Sequence, residues 1–221
     1  MAITFPLSRA AFLDLVPSLE VKFWLGRQDQ HTGLGGGQIL SAEVAPPLWR
    51  GSVPLPPMKK RAADELVALL EALEVPGRRF EAFKVQQIGP ASDPLGVGLA
   101  GFAPLIYLID NADPQRLRLS GLPEGYELRR GDMLSFAYDP GNGVRQALHR
   151  VVDGGIASAS GRTPYLTVNP PIRPGADAET AVDLVKPFCL AGVVPGSVSY
   201  GTTSGNVTSG IGFDFQQSLR R

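Results

Sequence analysis

The side chains in this sequence that could move protons, attack a carbonyl or hold a metal are few, and their spacing is informative. His149 lies in Ala147-Leu148-His149-Arg150-Val151, with Asp132 and Asp153 as the nearest carboxylates. A general base needs such an orienting partner. Nothing around it forms the Gly-x-Ser-x-Gly elbow of a serine hydrolase, and the alternation of the stretch reads as a strand with His149 on one face. His31, in a Gly/Gln-rich stretch, reads as solvated. Cys189 sits between Phe188 and Leu190 and reads as a small buried hydrophobe rather than a thiolate; a Cys189–His149 pair is the functional alternative. A single cysteine excludes an intramolecular disulfide and a thiolate-rich metal site. A His-rich site would need both histidines and distant carboxylates. Asp110 with Asp113, and Asp177 with Glu179, can be read as carboxylate pairs, but each lies among polar turn formers and reads as loop surface. Gly33-Leu34-Gly35-Gly36-Gly37 has the glycine density of a phosphate loop. A Walker loop needs Lys-Ser/Thr next, whereas Gln38-Ile39 follows. A dinucleotide loop needs a helix N-terminus, whereas a β-like segment follows. The residues therefore predict no catalytic, cofactor-binding or metal-ligating set, no cofactor, and a protein that is not an enzyme.

The elements that would position these residues are mostly short. Leu19, Val21 and Phe23 alternate with Glu20, Lys22 and Trp24 as in a half-exposed strand, and Gly26–Gly37 reads as turn material. Ile39–Val44 and Leu48–Val53 read as two further strands bracketed by Pro46-Pro47 and Pro54 to Pro57. Met58–Val75 lacks Gly and Pro and carries Ala62, Leu66, Leu69, Leu70 and Leu73 on one stripe, predicting an amphipathic helix of about 27 Å. Pro56-Pro57 suits its entry and Pro76-Gly77 ends it. Trp24, Trp49, Phe80 and Phe83 flank this helix and read as the core beneath it, with a ligand groove as the alternative.

Arg79–Val85 alternates, and Gly89–Gly96 is a break that suggests a domain boundary. Beyond it, Ala103–Ile109, Arg116–Leu119, Met133–Tyr138 and Arg145–Val152 read as strands. Asp139–Gly143 supplies hairpin-turn chemistry, and Ser160-Gly161-Arg162 suggests a second hairpin between Ile156–Ala159 and Tyr165–Val168. Gly175–Asp183 reads as a polar connector. Val185–Leu190 and Val198–Tyr200 look like strands, Gly201–Gly212 like a long loop or hairpin, and Phe213-Asp214-Phe215 alternates into a basic end at Arg220-Arg221.

Composition agrees with a mainly β chain. Among 221 residues there are 26 glycines and 20 prolines, well above the roughly 12% of average usage, and such punctuation joins many short elements. Hydrophobic residues at 43% supply a core. Lys+Arg and Asp+Glu are 21 each, so neither a whole-chain nucleic-acid binder nor a polybasic membrane-surface protein is expected. No run of 18 apolar residues is present, so no transmembrane helix is predicted. Arg9, Asp14 and Pro17 interrupt the N-terminal segment, and no secretory leader is read there.

The succession of segments carries more than any single motif. Pro46-Pro47-Leu48-Trp49-Arg50-Gly51-Ser52-Val53-Pro54-Leu55-Pro56 precedes the helix, and Arg78-Arg79-Phe80-Glu81-Ala82-Phe83 follows it. Then come Asp93-Pro94-Leu95-Gly96, Leu128-Arg129-Arg130-Gly131-Asp132-Met133-Leu134, Ala147-Leu148-His149-Arg150-Val151-Val152, and Gly161-Arg162-Thr163-Pro164-Tyr165 through Arg173. This order resembles the distal tail proteins of long, non-contractile-tailed bacteriophages and related prophages. The resemblance implies a mainly β fold. Residues 1–88 with 184–221 would form a β-sandwich or barrel ring domain bearing the helix, and 89–183 a peripheral OB-like barrel. It implies a structural protein of the virion tail tip, made in the bacterial cytoplasm. The subunits would close into a homo-oligomeric ring, usually a hexamer, between the tail tube protein and the hub or baseplate protein, with DNA only in transit through the lumen and no membrane insertion. No catalytic motif is carried over. Three rival readings stand beside it. One is a carbohydrate-binding β module using Tyr107, Tyr126, Tyr138 or Tyr165 as stacking platforms. Another is a tail tube component. The third is a small hydrolase using His149 with Cys189 or a carboxylate.

Overall fold

The computed structural model describes residues 3–17, 20–33, 35–37 and 39–219. Leu19, Leu34, Gln38 and the basic end Arg220-Arg221, which entered the sequence reading, lie outside the described residues. In chain order the strands are β1 Lys22–Gly33, β2 Ile39–Pro54, β3 Met58–Lys59, β4 Phe80–Phe83 and β5 Leu105–Ile109. They continue with β6 Arg116–Ser120, β7 Glu127–Leu128, β8 Met133–Tyr138, β9 Arg145–Asp153 and β10 Gly155–Ile156. The last are β11 Leu166–Asn169, β12 Val182–Asp183, β13 Phe188–Val193, β14 Ser199–Ser204 and β15 Val207–Gln217. The one α-helix among the described residues is α1, Lys60–Glu74. The protein is mainly β, as its glycine and proline content predicts.

The chain divides into two compact units. One comprises Pro17–Pro76 and Gly192–Gln217; the other comprises Met1–Val16, Gly77–Ala191 and Ser218–Arg221. The division falls inside β13, after Ala191. Residues 77–88, which the sequence reading groups with the helix, belong to the second unit. There the amide of Leu7 donates to Arg79 O and that of Glu81 donates to Leu7 O, each at 2.9 Å. Phe12 packs edge-on against Phe80 at 4.9 Å between ring centroids, and β4 pairs with β13 from Phe83↔Phe188 to Phe80↔Ala191.

In the helix-bearing unit, β1 and β2 are antiparallel from Lys22↔Ser52 to Gly33↔Ile39. The segment read as turn material is thus largely strand, and the two strands read on either side of Pro46-Pro47 are one. The reason is cross-strand pairing, which outweighs the weak β-propensity of Gly, Gln and Asp. The register slips around Gln28, opposite the prolines, where no ladder donor is lost, and Gln28 Nε2 donates to Pro46 O at 2.8 Å. β2 pairs on its other side with β15 only from Arg50 to Pro54. β14 and β15 form a hairpin from Ser199↔Gly212 to Ser204↔Val207. Met58 and Lys59, read as helical, pair with Thr208 and Val207 instead.

The helix buries Ala63, Leu66, Leu70 and Leu73. The stripe extends back to Ala63 rather than Ala62, because 63, 66, 70 and 73 keep a spacing of three and four on a 3.6-residue turn. It packs on β15 and β3. The core of this unit includes Trp49, stacked on Phe23 at 5.2 Å, with Phe213 and Phe215 also buried.

The second unit holds a six-stranded antiparallel sheet in the order β12-β8-β9-β11-β6-β5. It nearly closes on itself. Leu105 bridges Ala181, Ile106 N donates to Thr180 O at 2.9 Å and Val182 N to Pro104 O at 2.9 Å. The connector read over Gly175–Asp183 therefore ends in strand β12. The interior is filled by Leu117, Leu119, Leu134, Phe136, Leu166 and Val168 among others. β6 shows the rule: Leu117 and Leu119 face inward while Arg116 and Arg118 alternate outward. The hairpin read over 156–168 does not form. The Ser158–Arg162 turn is present, with Ser158 N donating to Arg162 O at 2.8 Å. But β10 pairs with β7, and β11 pairs with β9 and β6.

Candidate functional site

His149 lies on β9 between Ala147 and Val151, whose side chains share the barrel interior. It is buried. Its Nδ1 lies 2.7 Å from Pro170 O, so the tautomer carries its proton there, because a carbonyl can only accept. The ring stacks on Phe136 at 5.1 Å, and among the described residues Nε2 has no hydrogen-bond partner. Burial lowers its pKa to about 4, with the Pro170 contact opposing and the positive charge of Arg173 adding to the fall. The ring is neutral at pH 7 and is held as part of the core.

The carboxylates proposed beside it have other work. Asp132 is fully buried and accepts from Arg129 N at 2.7 Å, Ala91 N at 2.8 Å and Gln87 Nε2 at 3.2 Å. It fastens the Gln87–Ala91 segment to the turn before β8. Asp153 is exposed at the end of β9. Cys189 is buried opposite Ala82, and burial raises its pKa well above the ordinary thiol value; such a thiol is a poor nucleophile.

Asp110 accepts from Ala112 N and Asp113 from Gln115 N, both two residues on, the Asx-turn role of loop carboxylates. Asp177 and Glu179 are exposed. Gly35–Gly37 are exposed at the tip between β1 and β2, and His31 is exposed on β1. Among the described residues no group of three or more His, Cys, Asp or Glu is arranged to hold a metal.

The four aromatics read as flanking the helix separate. Trp49 is buried in the helix unit, Trp24 is exposed, and Phe80 and Phe83 are buried in the other unit. Of the tyrosines, Tyr126 and Tyr138 are buried. Tyr126 donates to Asp93 Oδ2 at 3.3 Å, and its pKa rises through burial and then through Asp93. Tyr107 is exposed and Tyr165 half-buried.

What the fold does present is a surface. Beyond the stretch paired with β15, β1 and β2 continue as a two-stranded arm over Gly26–Gly33 and Ile39–Leu48. At about 3.3 Å per residue, eight residues reach about 25 Å. Ile39, Leu40 and Val44 are 73%, 57% and 68% exposed. Asp29 stands directly opposite Glu43, a like-charge pair that weakens a ribbon, with Arg27 Nη1 3.6 Å from Asp29 Oδ2. The sequence signal for this arm was present in the alternation after Ile39, but the glycines at 26, 33 and 35–37 masked its partner strand. No family model and no curated protein matches the chain. Among the described residues no helix is long and apolar enough to cross a membrane.

Proposed function

We propose that the protein is a structural subunit of a bacteriophage tail tip, assembling head to tail into a closed ring, six subunits in the resembled family, that joins the tail tube to the hub and lets DNA pass. The observation that carries this reading is the arm. A two-stranded ribbon is marginal by itself in water. This one leaves three large aliphatic side chains in solvent, and among the described residues neither of its outer edges, β1 over Gly26–Gly33 and β2 over Ile39–Leu48, has a further strand partner. An exposed edge with apolar side chains is a template for another chain. An arm that reaches a different surface on its neighbour makes a heterologous contact, and such contacts form a ring when the rotation between neighbours closes. The order of segments from Pro46 to Arg173, similar to distal tail proteins, supplies the tail-tip setting. The neutral net charge leaves a local field at a lumen possible in either sign, because distribution rather than sum sets it.

The test is light scattering with negative-stain imaging of the same peak over a range of concentrations. A closed ring with an open centre, about six times the 23.5 kDa chain mass, is the expected result. Long stacked tubes would assign the chain to the tube instead. A monomer at every concentration, with or without candidate tube and hub proteins, overturns the reading.

A further inference from the structure

The sheet of the helix-bearing unit presents a half-exposed face at the foot of the arm. Phe23 and Trp49 stack on its inner side, so Trp24 and Arg50, which stand directly opposite each other on the next positions, face outward. On the other side of β2, Gln216 pairs with Arg50 and Asp214 with Ser52. Trp24 is 43% exposed. Arg50 leans towards the arm over Gly26, where an added Cβ would lie 2.8 Å from its Cδ and Nε; glycine leaves it that path. Among the described residues its Nε is buried without a hydrogen-bond partner. Its guanidinium forms no ion pair there with Asp214 or any other carboxylate. An unpaired guanidinium beside a part-exposed indole has the composition of a protein–protein hot spot, in which Trp and Arg are enriched.

The arm carries the complement. Residues 39, 41 and 43 of β2 share one of its faces, and Asp29 stands opposite Glu43. Arg27 lies 3.6 Å from Asp29. Glu43 is exposed and has no ion-pair partner among the described residues. Two carboxylates set opposite each other weaken a free ribbon, and a guanidinium brought to them turns that repulsion into a charge-assisted hydrogen bond. Ile39, exposed on the same face, offers an aliphatic surface to an indole.

The two surfaces cannot meet within one chain. Glu43 and Arg50 are seven residues apart on the same strand, about 23 Å, beyond the combined reach of their side chains. A second copy of the chain brings them together, and through two different surfaces, as a head-to-tail contact requires. On the ring reading proposed above, we infer that the Trp24–Arg50 face is the seat of the neighbouring subunit's arm, with Glu43 of that arm on the Arg50 guanidinium. Each chain has one arm and one seat, so a closed ring leaves neither unmatched.

Light scattering and tryptophan fluorescence of the full-length protein test this together. Trp24 and Trp49 are its two tryptophans, and Trp49 is buried, so a change on assembly reports Trp24. Its emission should shift to the blue, and its quenching by acrylamide should fall, as rings form. Arg50→Glu and Glu43→Arg should each raise the concentration at half-assembly about a hundredfold, as a like-charge contact does, with the circular dichroism spectrum unchanged. Their equimolar mixture should form rings again, because each arm then finds a seat of opposite charge. If Arg50→Glu does not fold, Glu43→Arg and the quenching of Trp24 decide, since Glu43 is exposed on the arm. Rings in which Trp24 stays fully quenchable, or variants that assemble like the parent, overturn the seat and leave the ring standing. Two folded variants whose mixture stays monomeric overturn the pairing of Glu43 with Arg50. A parent that is monomeric at every concentration overturns the ring reading, and the seat with it.

Discussion

His149 shows how far a single side chain can be read. Its place in an alternating stretch already argued for a strand-face residue, and the fold puts it inside the barrel, neutral, with Nδ1–H on Pro170 O. Its stability linkage follows from the sign of the shift. The folded pKa, about 4, lies below the ordinary 6.5, so the unfolded chain binds the proton more readily. Stability is fully present above pH 6.5 and is lost as pH falls towards 4, on the order of 3 kcal/mol from this one group. Urea midpoints measured from pH 7.5 down to 4 should show that loss, and His149→Gln should flatten it within the same window. An unchanged slope would mean that other groups govern acid stability. Asp132 was less legible. The donors to its carboxylate come from Arg129, Ala91 and Gln87, at separations of 3, 41 and 45 residues, and no local pattern announces a carboxylate that ties distant segments.

Elements with their own periodicity were legible and those made by pairing were not. The helix was visible because leucines at 66, 70 and 73 repeat at the period of a turn, and β6 was visible because Arg and Leu alternate. The helix start was not. Met58 and Lys59 are good helix formers, yet they pair with β15, and the first buried position is Ala63 rather than Ala62. That one-residue difference is testable. Ala62→Glu should change the urea midpoint by no more than about 0.5 kcal/mol equivalent, as an exposed substitution does. Ala63→Glu should cost about 3 kcal/mol or more, because it forces an unpaired carboxylate into the apolar interface. Equal effects would move the buried stripe. The failed hairpin over 156–168 teaches the complementary point. Its turn chemistry is real, but Thr163 N donates to Leu119 O at 3.0 Å, and that long-range bond draws the chain on to β6.

At the scale of the molecule, the mainly β class followed from glycine and proline punctuation. The discontinuity of the units could be inferred from a β-like tail that must return to earlier strands. The places where the chain is cut depend on contacts such as Leu7 with Arg79, which no composition shift marks. Assembly is the property least written in local pattern, and the arm gives it a direct test. Gln28 pairs with Ala45, so residues 29–44 can be replaced by Asn-Gly, a two-residue loop whose twist suits a hairpin. The base of the sheet, Lys22–Gly26 against Leu48–Ser52, is retained. Because the removed side chains are largely solvent-exposed, the variant should keep the parent's circular dichroism and unfold within about 1 kcal/mol of it. If the arm makes the subunit contact, the same variant should stay monomeric at concentrations where the parent forms rings. Its melting temperature should also lose the concentration dependence that an assembling protein shows. Rings formed by the shortened chain would place the contact elsewhere on the subunit.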